Sequence, residues 1–373
     1  MTASFWAGKT VLVTGHTGFK GGWLSLWLQQ LGAKVIGYAL PPDARPSLFE
    51  MAGIEQGMVS VFGDVRDLPA LHAVMEEHQP QVVFHLAAQP LVRHSYTFPV
   101  ETYATNVMGT VHLLDAVRTT NSVRVCQVIT SDKCYENREW DFAYRENDRL
   151  GGHDPYSNSK ACAELVTAAY RDSFFTQREG FSLATVRAGN VIGGGDWAKD
   201  RIIPDCIRSI ERGEQIVLRN PDAIRPWQHV LEPLAGYLWL AQKQWLESQR
   251  FAGAWNFGPG GEKGTPVSDL VERVIAAWGS GSWRLHEEAA RQPHEAGILK
   301  LDITKTNTRL DWYPVYGVPQ AVKQTVAWYK LANQSADTDH VRALCYDQIA
   351  EYVGAAAQSG MAWATSRVFG DLA

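Results

Sequence analysis

The sequence lacks long apolar runs, blocks of like charge and any leader segment. No apolar stretch approaches the roughly 18 residues that a membrane-spanning helix needs, and residues 1–6 carry no charged leader before an apolar segment. The formal net charge is −5, and no long lysine or arginine block argues for general nucleic-acid or membrane-surface binding. We therefore expect a cytoplasmic protein with no membrane or nucleic-acid partner.

The cysteine pattern indicates neither disulfides nor a zinc site. The five cysteines are scattered, and they form neither a CxxC pair nor a cysteine–histidine spacing typical of zinc. The sequence therefore indicates no disulfide framework, and we predict no metal site. The hydrophobic content of 45% is ample for a core. A length of 373 residues allows one large α/β unit or two domains that share a cleft.

Short β-branched runs alternate with helical patterns through the first half of the chain. The predicted strands there cover residues 10–13, 35–38, 59–62, 82–86, 123–129 and 183–186. The predicted helices cover residues 22–31, 68–77, 100–119 and 155–175. This alternation predicts an α/β fold with a doubly wound parallel sheet of the Rossmann type.

The alternation ends after Arg187, at a glycine-rich loop over residues 189–196. Shorter elements follow, with strands predicted at 216–218, 254–257 and 283–286 and helices at 234–246, 267–278 and 319–331. We predict a dinucleotide-binding domain over 1–188, to which segments around 230–258 return, and a smaller interleaved α/β substrate lobe mainly over 189–333. Residues 334–373 form a tail of undefined role, which could be a helix on the body or on a partner subunit.

A phosphate-binding motif, Thr14-Gly-His-Thr-Gly-Phe-Lys-Gly21, follows the first predicted strand. Its three glycines permit a tight turn and close approach of the backbone to a pyrophosphate at a helix N-terminus. The sequence therefore predicts dinucleotide binding. The residues expected to contact the cofactor are Gly15, Thr17, Gly18, Phe19 and Lys20 in the motif, Asp64 and Val65 after the third strand, and Leu86, Ala87 and Ala88 after the fourth.

Residues 38–41, at the end of the second strand, include no acid to bind the adenosine ribose. The choice between NAD and NADP therefore stays open at this point. Arg45 could meet a 2′-phosphate or be a solvated loop arginine, and Asp64 could equally be an ordinary loop carboxylate.

Ser131, Tyr156 and Lys160 form a set suited to proton transfer during alcohol oxidation. Tyr156 and Lys160 are four residues apart, so they share a helix face, where an ammonium lowers the pKa of a phenol from about 10 toward neutrality. Tyr156 is then a candidate base. Asp132 and Lys133 add an acid and an amine that oxidation alone does not need, and they predict a second, eliminating step.

The chain resembles the extended short-chain dehydrogenase/reductase superfamily and, within it, the sugar-nucleotide 4,6-dehydratases, over roughly residues 9–330. The motifs that carry the resemblance are residues 14–21, 85–89, Asn106 with Gly109 and Thr110, Tyr156 with Lys160, and 225–230. Residues 131–137 and 226–230 are most similar to the members of the family that act on CDP-glucose.

The resemblance implies bound NAD and an internal redox cycle on a nucleoside-diphosphate glucose. Tyr156 would take the proton of the 4-hydroxyl, Ser131 would hold that oxygen, and Lys160 would lower the pKa of Tyr156 and bind ribose. Water would be lost across carbons 5 and 6, with Asp132 protonating the departing hydroxyl. The resemblance further implies a homodimer or homotetramer, with helices 100–119 and 155–175 as its contact, and a role in deoxysugar biosynthesis for O-antigen lipopolysaccharide.

Lys133 departs from many relatives, which carry a glutamate as the base at carbon 5. An amine can remove a proton near neutral pH only if its pKa is lowered by roughly two to three units. The alternative is that Lys133 only pairs with a phosphate, Asp132 or Glu136. Glu136 is then the reserve base.

Several residues match by position the family residues that bind the sugar and the diphosphate. These candidate substrate residues are Ser95, Thr97, Asn190, Arg201, Arg219, Arg225 and His294. Arginine suits a diphosphate because its fork donates two hydrogen bonds and stays charged, although each arginine could also be a solvated surface group. Three alternatives remain: a 4,6-dehydratase acting on another nucleotide sugar, a 4-epimerase, which does not eliminate water, and a catalytically silent nucleotide-sugar sensor.

Overall fold

The computed structural model describes residues 3–43, 45–261, 264–287, 297–334 and 337–365. Its strands are β1 (Thr10–Thr14), β2 (Lys34–Ala39), β3 (Val59–Phe62), β4 (Val82–His85), β5 (Val125–Ile129), β6 (Ser182–Ala188), β7 (Val191–Ile192), β8 (Ile216–Leu218), β9 (Ile224–Arg225), β10 (Gln228–His229), β11 (Gly253–Phe257), β12 (Thr265–Pro266) and β13 (Trp283–Leu285).

The α-helices are α1 (Ala3–Trp6), α2 (Phe19–Gln30), α3 (Leu48–Met51), α4 (Leu68–His78), α5 (Val92–Thr97), α6 (Pro99–Tyr103), α7 (Gly109–Thr119), α8 (Pro155–Tyr170), α9 (Ile202–Glu211), α10 (Leu231–Leu246), α11 (Val267–Trp278), α12 (Val318–Ala332) and α13 (Thr338–Gln358). Single 3₁₀ turns cover Ile54–Gly57 and Asp132–Cys134. π-Helical segments cover Ala104–Met108, Arg171–Phe175 and Thr306–Leu310.

The central sheet has seven strands in the order β11-β6-β5-β4-β1-β2-β3. Every neighbouring pair in it is parallel. Without β11, this is the strand order of doubly wound folds. The order in which strands are added to the sheet reverses between β1 and β4, and ligands bind at that switch point. The predicted fold class is confirmed.

Helices predicted as single units are partly segmented. The predicted helix 155–175 is α8 followed by a π-helical segment, and the predicted helix 100–119 is α6, a π-helical segment and α7. The strand at 59–62 and the helix at 267–278 have the predicted bounds. The missed strands are β7, β9, β10 and β12, each two residues long, which is too short to leave a periodic pattern.

The second half of the chain contributes to both the sheet and the cavity. Strand β11 extends the main sheet beside β6. Three two-stranded pairs, β7 with β10, β8 with β13, and β9 with β12, build the region above the sheet. The division into domains with the predicted boundaries stays a prediction.

The C-terminal helix α13 packs on the body of the chain, against α2, α3 and α12. Tyr352 on α13 packs edge-on against Trp27 on α2, and Arg342 donates hydrogen bonds to the carbonyls of Ala52 and Gly53. Helix α2 is thereby buried between the sheet and α13, which fits its nearly continuous apolar sequence. Within the described ranges, no helix is both long and apolar enough to cross a membrane.

Candidate active site

A cavity of about 670 Å³ opens at the carboxyl ends of the sheet strands, at the switch point between β1 and β4. The loops after β1, β4, β5 and β6 form one side of its wall, and residues 200–205 and 217–227 form the other. A crevice at this position is where doubly wound folds bind their ligands.

The glycine motif lines the cavity with its backbone. Gly15 has a φ of +76°, and a Cβ there would lie 2.7 Å from the amide nitrogen of Ala87. A Cβ on Gly21 would lie 2.1 Å from the carbonyl oxygen of Gly15. Only glycine fits these positions, and the free amides at the start of α2 face the cavity as an anion site. The predicted residues Gly15, Thr17, Gly18, Phe19 and Lys20 all line this wall.

Lys20 points into the same wall and lies 3.4 Å from the Tyr237 hydroxyl. Burial lowers the pKa of Lys20 to about 7, and the charges of Arg201 and Lys160 act in the same direction. Three cationic side chains therefore converge on one region of the cavity. Such an excess of positive charge attracts phosphate groups.

The other predicted cofactor residues, Asp64, Val65, Leu86, Ala87 and Ala88, also line the cavity. The Asp64 carboxylate, however, accepts two hydrogen bonds from the Arg66 Nε, at 3.0 and 2.9 Å. This interaction with Arg66 lowers the pKa of Asp64 and outweighs its burial. The role of Asp64 toward a cofactor stays a prediction.

An acid that the sequence reasoning missed lies near the end of β2. Asp43 lines the cavity beside Leu40, whose carbonyl accepts a hydrogen bond from the Thr17 hydroxyl. Arg45 does not line it and forms an ion pair with Glu50 at 3.6 Å on the surface. Asp43 is not at the strand end itself, where a ribose-binding acid is expected, and this is why the pattern did not reveal it.

Ser131, Asp132 and Tyr156 all line the cavity, and the first two are joined by a hydrogen bond. The Ser131 hydroxyl donates to the Asp132 carboxylate at 3.0 Å and accepts from the amide of Lys133 at 3.2 Å. Ser131 also lies beside the Tyr156 phenol and lowers its pKa. The 3₁₀ turn that starts at Asp132 therefore brings the predicted oxidation and elimination groups to one wall, and Lys133 and Lys160 line that wall as well.

The pKa of Tyr156 differs from the expectation. Burial raises it to about 12, although the neighbouring Ser131 and the charge of Arg201 lower it. Lys160 instead donates to the carbonyl of Ile129 at 3.2 Å, and burial lowers its own pKa to about 8. The expectation that Lys160 brings the phenol toward neutrality is wrong for this state, because burial of the phenol outweighs the neighbouring charges.

Asp132, the candidate acid for elimination, and Glu136, the reserve base, lie in different environments. Burial raises the pKa of Asp132, against the charges of Lys133 and Arg225 and the hydrogen bond from Ser131. Glu136 does not line the cavity, and it forms ion pairs with Arg138 and Arg149, both at 3.2 Å. Of the two candidate bases, only Lys133 lines the cavity, so the geometry favours Lys133 over Glu136.

Four of the predicted substrate residues line the cavity: Asn190, Arg201, Arg219 and Arg225. Arg201 is held by the buried Asp196 at 2.9 Å, and Arg219 by Asp200 at 2.9 Å. Arg225 donates to the carbonyls of Ile224 and Gly297. These three arginines are therefore oriented side chains and not solvated surface groups.

The remaining substrate predictions fare differently. Ser95 and Thr97 lie on the short helix α5, and neither lines the cavity. Ser95 is fully buried and accepts a hydrogen bond from the amide of Tyr156 at 3.1 Å, so it supports the start of α8 and does not face a sugar. Thr97 is exposed. His294 lies outside the described residues.

Sequence reasoning missed the groups that hold the arginines. Asp196 ends the glycine-rich loop that the sequence had singled out, but its pairing with Arg201 depends on the loop conformation. Arg93 also lines the cavity, 3.7 Å from Asp200. Nothing in the local sequence marks it. Among the described residues, no cluster of three or more histidine, cysteine, aspartate or glutamate side chains could hold a metal ion.

The sheet order, the glycine cradle and the Ser131, Tyr156 and Lys160 set define a dinucleotide-binding α/β protein equipped for proton transfer. The chain belongs to the GDP-mannose 4,6 dehydratase family, whose model matches residues 12–325. The resemblance to sugar-nucleotide 4,6-dehydratases of the extended short-chain dehydrogenase/reductase superfamily is thereby confirmed.

Curated relatives include two kinds of dehydratase. The chain is 54% identical over 332 residues to a CDP-glucose 4,6-dehydratase of Salmonella typhimurium, covering 88% of this chain and 92% of the relative. It is 26% identical over 309 residues to dTDP-glucose 4,6-dehydratase 1 of Escherichia coli, covering 76% of this chain and 82% of the relative.

Solved structures share the fold. A dTDP-glucose 4,6-dehydratase from Bacillus anthracis in complex with NAD superposes with a TM-score of 0.73 at 22% identity, covering 87% of this chain and 97% of that one. A UDP-glucose-4-epimerase from Stenotrophomonas maltophila with bound NAD gives 0.75 at 22% identity, covering 87% and 99%.

Proposed function

We propose that this protein dehydrates CDP-D-glucose to CDP-4-keto-6-deoxy-D-glucose with bound NAD. The observation that carries the proposal is the placement of Asp132 and Lys133 in the same cavity wall as Ser131, Tyr156 and Lys160. The 54% identity to a CDP-glucose 4,6-dehydratase supports the choice of substrate.

The cradle fits a dinucleotide pyrophosphate, because Gly15 and Gly21 leave no room for side chains and Lys20 adds charge beside the amides. When bound, NAD supplies the hydride acceptor for carbon 4 and the hydride donor for carbon 6. Asp43 lies where it could accept hydrogen bonds from the adenosine ribose, in the manner that favours NAD over NADP.

Tyr156 takes the proton of the 4-hydroxyl as that carbon is oxidised, and Ser131 holds the same oxygen by hydrogen bonding. The high pKa of Tyr156 must fall for this step. The positive nicotinamide of NAD and the ammonium of Lys160 act in that direction. Lys160 keeps its place through the Ile129 carbonyl, and it would bind a ribose hydroxyl of the cofactor.

The 4-ketone makes the proton on carbon 5 acidic, so elimination needs one base and one acid. Lys133 takes the carbon 5 proton, and Asp132 gives its proton to the departing 6-hydroxyl, which leaves as water. The ammonium formed on Lys133 returns a proton to carbon 5 when carbon 6 accepts the hydride. The raised pKa of Asp132 supports its role as the acid. Asn190, Arg201, Arg219 and Arg225 bind the sugar and the diphosphate.

A 4-epimerase uses the same cofactor and oxidation set, and epimerases are among the structures with this fold. Epimerisation has no use for an acid and a base at carbons 5 and 6, so Asp132 and Lys133 favour dehydration. A silent sensor has no use for the intact oxidation set. We place the product in deoxysugar biosynthesis, such as that of O-antigen lipopolysaccharide, and cytoplasmic localisation stays a prediction.

We also propose a homodimer, with a homotetramer as the larger alternative. Apolar side chains are exposed along α6, α8 and the segments that continue them, which supports a four-helix contact between two copies. Four of these side chains, with their exposed fractions, are Val100 (82%), Met108 (47%), Leu165 (58%) and Phe174 (53%).

The test is incubation of the purified protein with NAD and, in competition, with CDP-, dTDP-, UDP- and GDP-glucose. We expect a 4-keto-6-deoxy product from CDP-glucose ahead of the other three, identified by NMR of its 6-methyl group. Recovery of only glucose and galactose sugars would contradict dehydration and favour the epimerase. Preference for another base would correct the substrate alone.

A further inference from the structure

A buried ion pair, Glu164 with Arg187, lies directly behind the site. The Arg187 Nε and Nη2 atoms donate to the two carboxylate oxygens of Glu164 at 2.8 and 2.7 Å, and both side chains are only 3% exposed. Neither residue lines the cavity. The pair therefore cannot touch a substrate, and its cost of desolvation must be offset by what it holds in place.

Glu164 holds the beginning of the catalytic turn. Its carboxylate accepts a hydrogen bond from the Thr130 hydroxyl at 2.5 Å, and Thr130 immediately precedes Ser131. One helical turn earlier on α8, Lys160 donates to the carbonyl of Ile129. The end of β5 is thus bound to α8 at two successive turns, and this fixes Ser131 relative to Tyr156.

Arg187 holds the end of the same turn. Its Nη1 atom donates to the Tyr135 hydroxyl at 2.7 Å, and Tyr135 in turn donates to the side chain of Asn256 at 2.8 Å. The Arg187 guanidinium also lies 4.9 Å from the centre of the Tyr135 ring. Tyr135 directly follows the 3₁₀ turn that carries Asp132 and Lys133.

The pair also places a permanent negative charge behind Lys160. Arg187 and the hydrogen-bonded hydroxyls of Thr130 and Thr185 hold the pKa of Glu164 below its usual value despite burial. That charge raises the pKa of Lys160, against the burial that lowers it. The other titratable groups that face Lys160 are Cys134 on the turn, His85 on β4 and Lys20 on the phosphate loop.

We propose that Glu164 and Arg187 are positioning residues that hold both ends of segment 130–135 against α8 and so align Ser131, Asp132 and Lys133 with Tyr156. The inference rests on the proposed function for its catalytic consequence. The structural part does not depend on the substrate. It predicts that loss of either anchor loosens this segment.

The test compares Thr130→Val, which removes the anchor and keeps the ion pair, with Thr167→Val as the matched control. Thr167 is a buried residue of α8, and its hydroxyl donates to the Ala163 carbonyl within the same helix. We expect hydrogen exchange in segment 130–135 to be faster in Thr130→Val and unchanged in Thr167→Val. Equal exchange in the two variants would overturn the proposal without any assay of activity.

The kinetic arm uses Glu164→Gln and Thr130→Val with CDP-glucose and NAD. We expect kcat to fall by about 10²-fold in Glu164→Gln and less in Thr130→Val, because a displacement of about 1 Å costs that much. KM and the affinity for CDP should stay within about twofold of wild type. In Glu164→Gln the alkaline limb of kcat should move to lower pH, since Lys160 loses its negative neighbour.

The outcomes separate the two proposals. A wild-type protein without turnover of CDP-glucose contradicts the proposed function and leaves the exchange result to decide the positioning role. If Glu164→Gln fails to fold, the hydrogen exchange and kcat of Thr130→Val test the proposal instead. Wild-type kcat and an unmoved pH limb in folded variants would show that Glu164 is only a structural residue.

Discussion

The hydroxyl of Ser131 donates a hydrogen bond to the carboxylate of Asp132 at 3.0 Å. The oxidation group and the proposed acid for elimination are thus in direct contact on one turn. In our proposal, the group that would hold the 4-oxygen is therefore adjacent to the group that would protonate the departing 6-hydroxyl. This contact underlies our proposal of two chemical steps in one cavity.

Replacement of Lys133 separates its role as a base from that of a phosphate partner. We expect Lys133→Ala to reduce NAD but to stall before elimination, so that the absorbance of the reduced cofactor accumulates. The overall rate should fall by about 10²- to 10⁴-fold, as for loss of a general base. Lys133→Arg keeps the positive charge but cannot serve as a base, and it should stall in the same way.

Two results would contradict this role for Lys133. Wild-type turnover in Lys133→Arg would make the side chain a simple cation. A larger loss in Glu136→Gln than in Lys133→Ala would transfer the role to Glu136. We expect Glu136→Gln to turn over normally, because Glu136 is paired with Arg138 and Arg149 outside the cavity wall.

The pH dependence of the first step should report on Lys160, whose pKa is about 8. The ammonium is present below that pH and is lost above it. The rate of cofactor reduction in a single turnover should therefore fall as the pH rises through about 8. In Lys160→Arg the charge persists at higher pH, and the fall should disappear. A fall unchanged in Lys160→Arg would assign it to another group.

Gly21→Ala should weaken NAD binding by more than about tenfold, because its Cβ would lie 2.1 Å from the carbonyl oxygen of Gly15 and force the phosphate loop to move. Gly354→Ala on α13 is the matched control, since its Cβ would meet no atom within 4 Å. The measurement is isothermal titration with NAD. Equal affinities in the two variants would refute the cradle.

The buried Glu232 should make stability depend on pH. Burial raises its pKa to about 7 although the carboxylate accepts bonds from the amides of Val315 and Tyr316 and the hydroxyl of Tyr352. The folded state then binds this proton more tightly than the unfolded state. The contribution is complete below the unfolded pKa of about 4.5 and is lost as the pH rises through about 7.

A shift from 4.5 to about 7 corresponds to about 3 kcal/mol of free energy of unfolding. In Glu232→Gln, we expect the free energy of unfolding, measured by denaturant titration, to lose this dependence on pH between about pH 5 and about pH 8. Glu247→Gln, at the exposed end of the same helix, should keep the wild-type profile. Parallel profiles for Glu232→Gln and the wild type would contradict the prediction.

The proposed dimer contact is testable by light scattering of wild type and variants. Leu165→Glu places a charge in the exposed apolar face of α8 and should yield monomers. Leu246, which is 55% exposed at the end of α10, gives the control Leu246→Glu, and this variant should assemble like wild type. A monomeric wild type, or assembly of Leu165→Glu, would contradict the four-helix contact.

The sheet, and the meeting of Ser131, Tyr156 and Lys160 at one cavity, were predictable because their signals are local. The glycine spacing, the alternation of strands and helices and the spacing of Tyr156 and Lys160 each depend on residues close in sequence. Burial and long-range pairing left no such signal. The high pKa of Tyr156 results from tertiary packing, and the arginine partners Asp196 and Asp200 and the anchor between Glu164 and Thr130 depend on elements that meet only in the fold.

Ser95 shows the limit of transfer by position. Its hydroxyl was expected to face a sugar, yet it binds the amide of Tyr156. A hydroxyl next in sequence to the cavity-lining His94 can serve either purpose, and only the direction of the short helix α5 decides between them.

Label transfer within one substrate molecule tests the central claim most directly. The protein is supplied with NAD and an equal mixture of two substrates, CDP-glucose deuterated at carbon 4 and undeuterated CDP-glucose labelled with ¹³C. The products are analysed by mass spectrometry and NMR. We predict deuterium in the 6-methyl group of the ¹³C-free product, beside a 4-ketone. Deuterium retained at carbon 4 of glucose or galactose, with no 6-methyl group, would contradict dehydration by this protein.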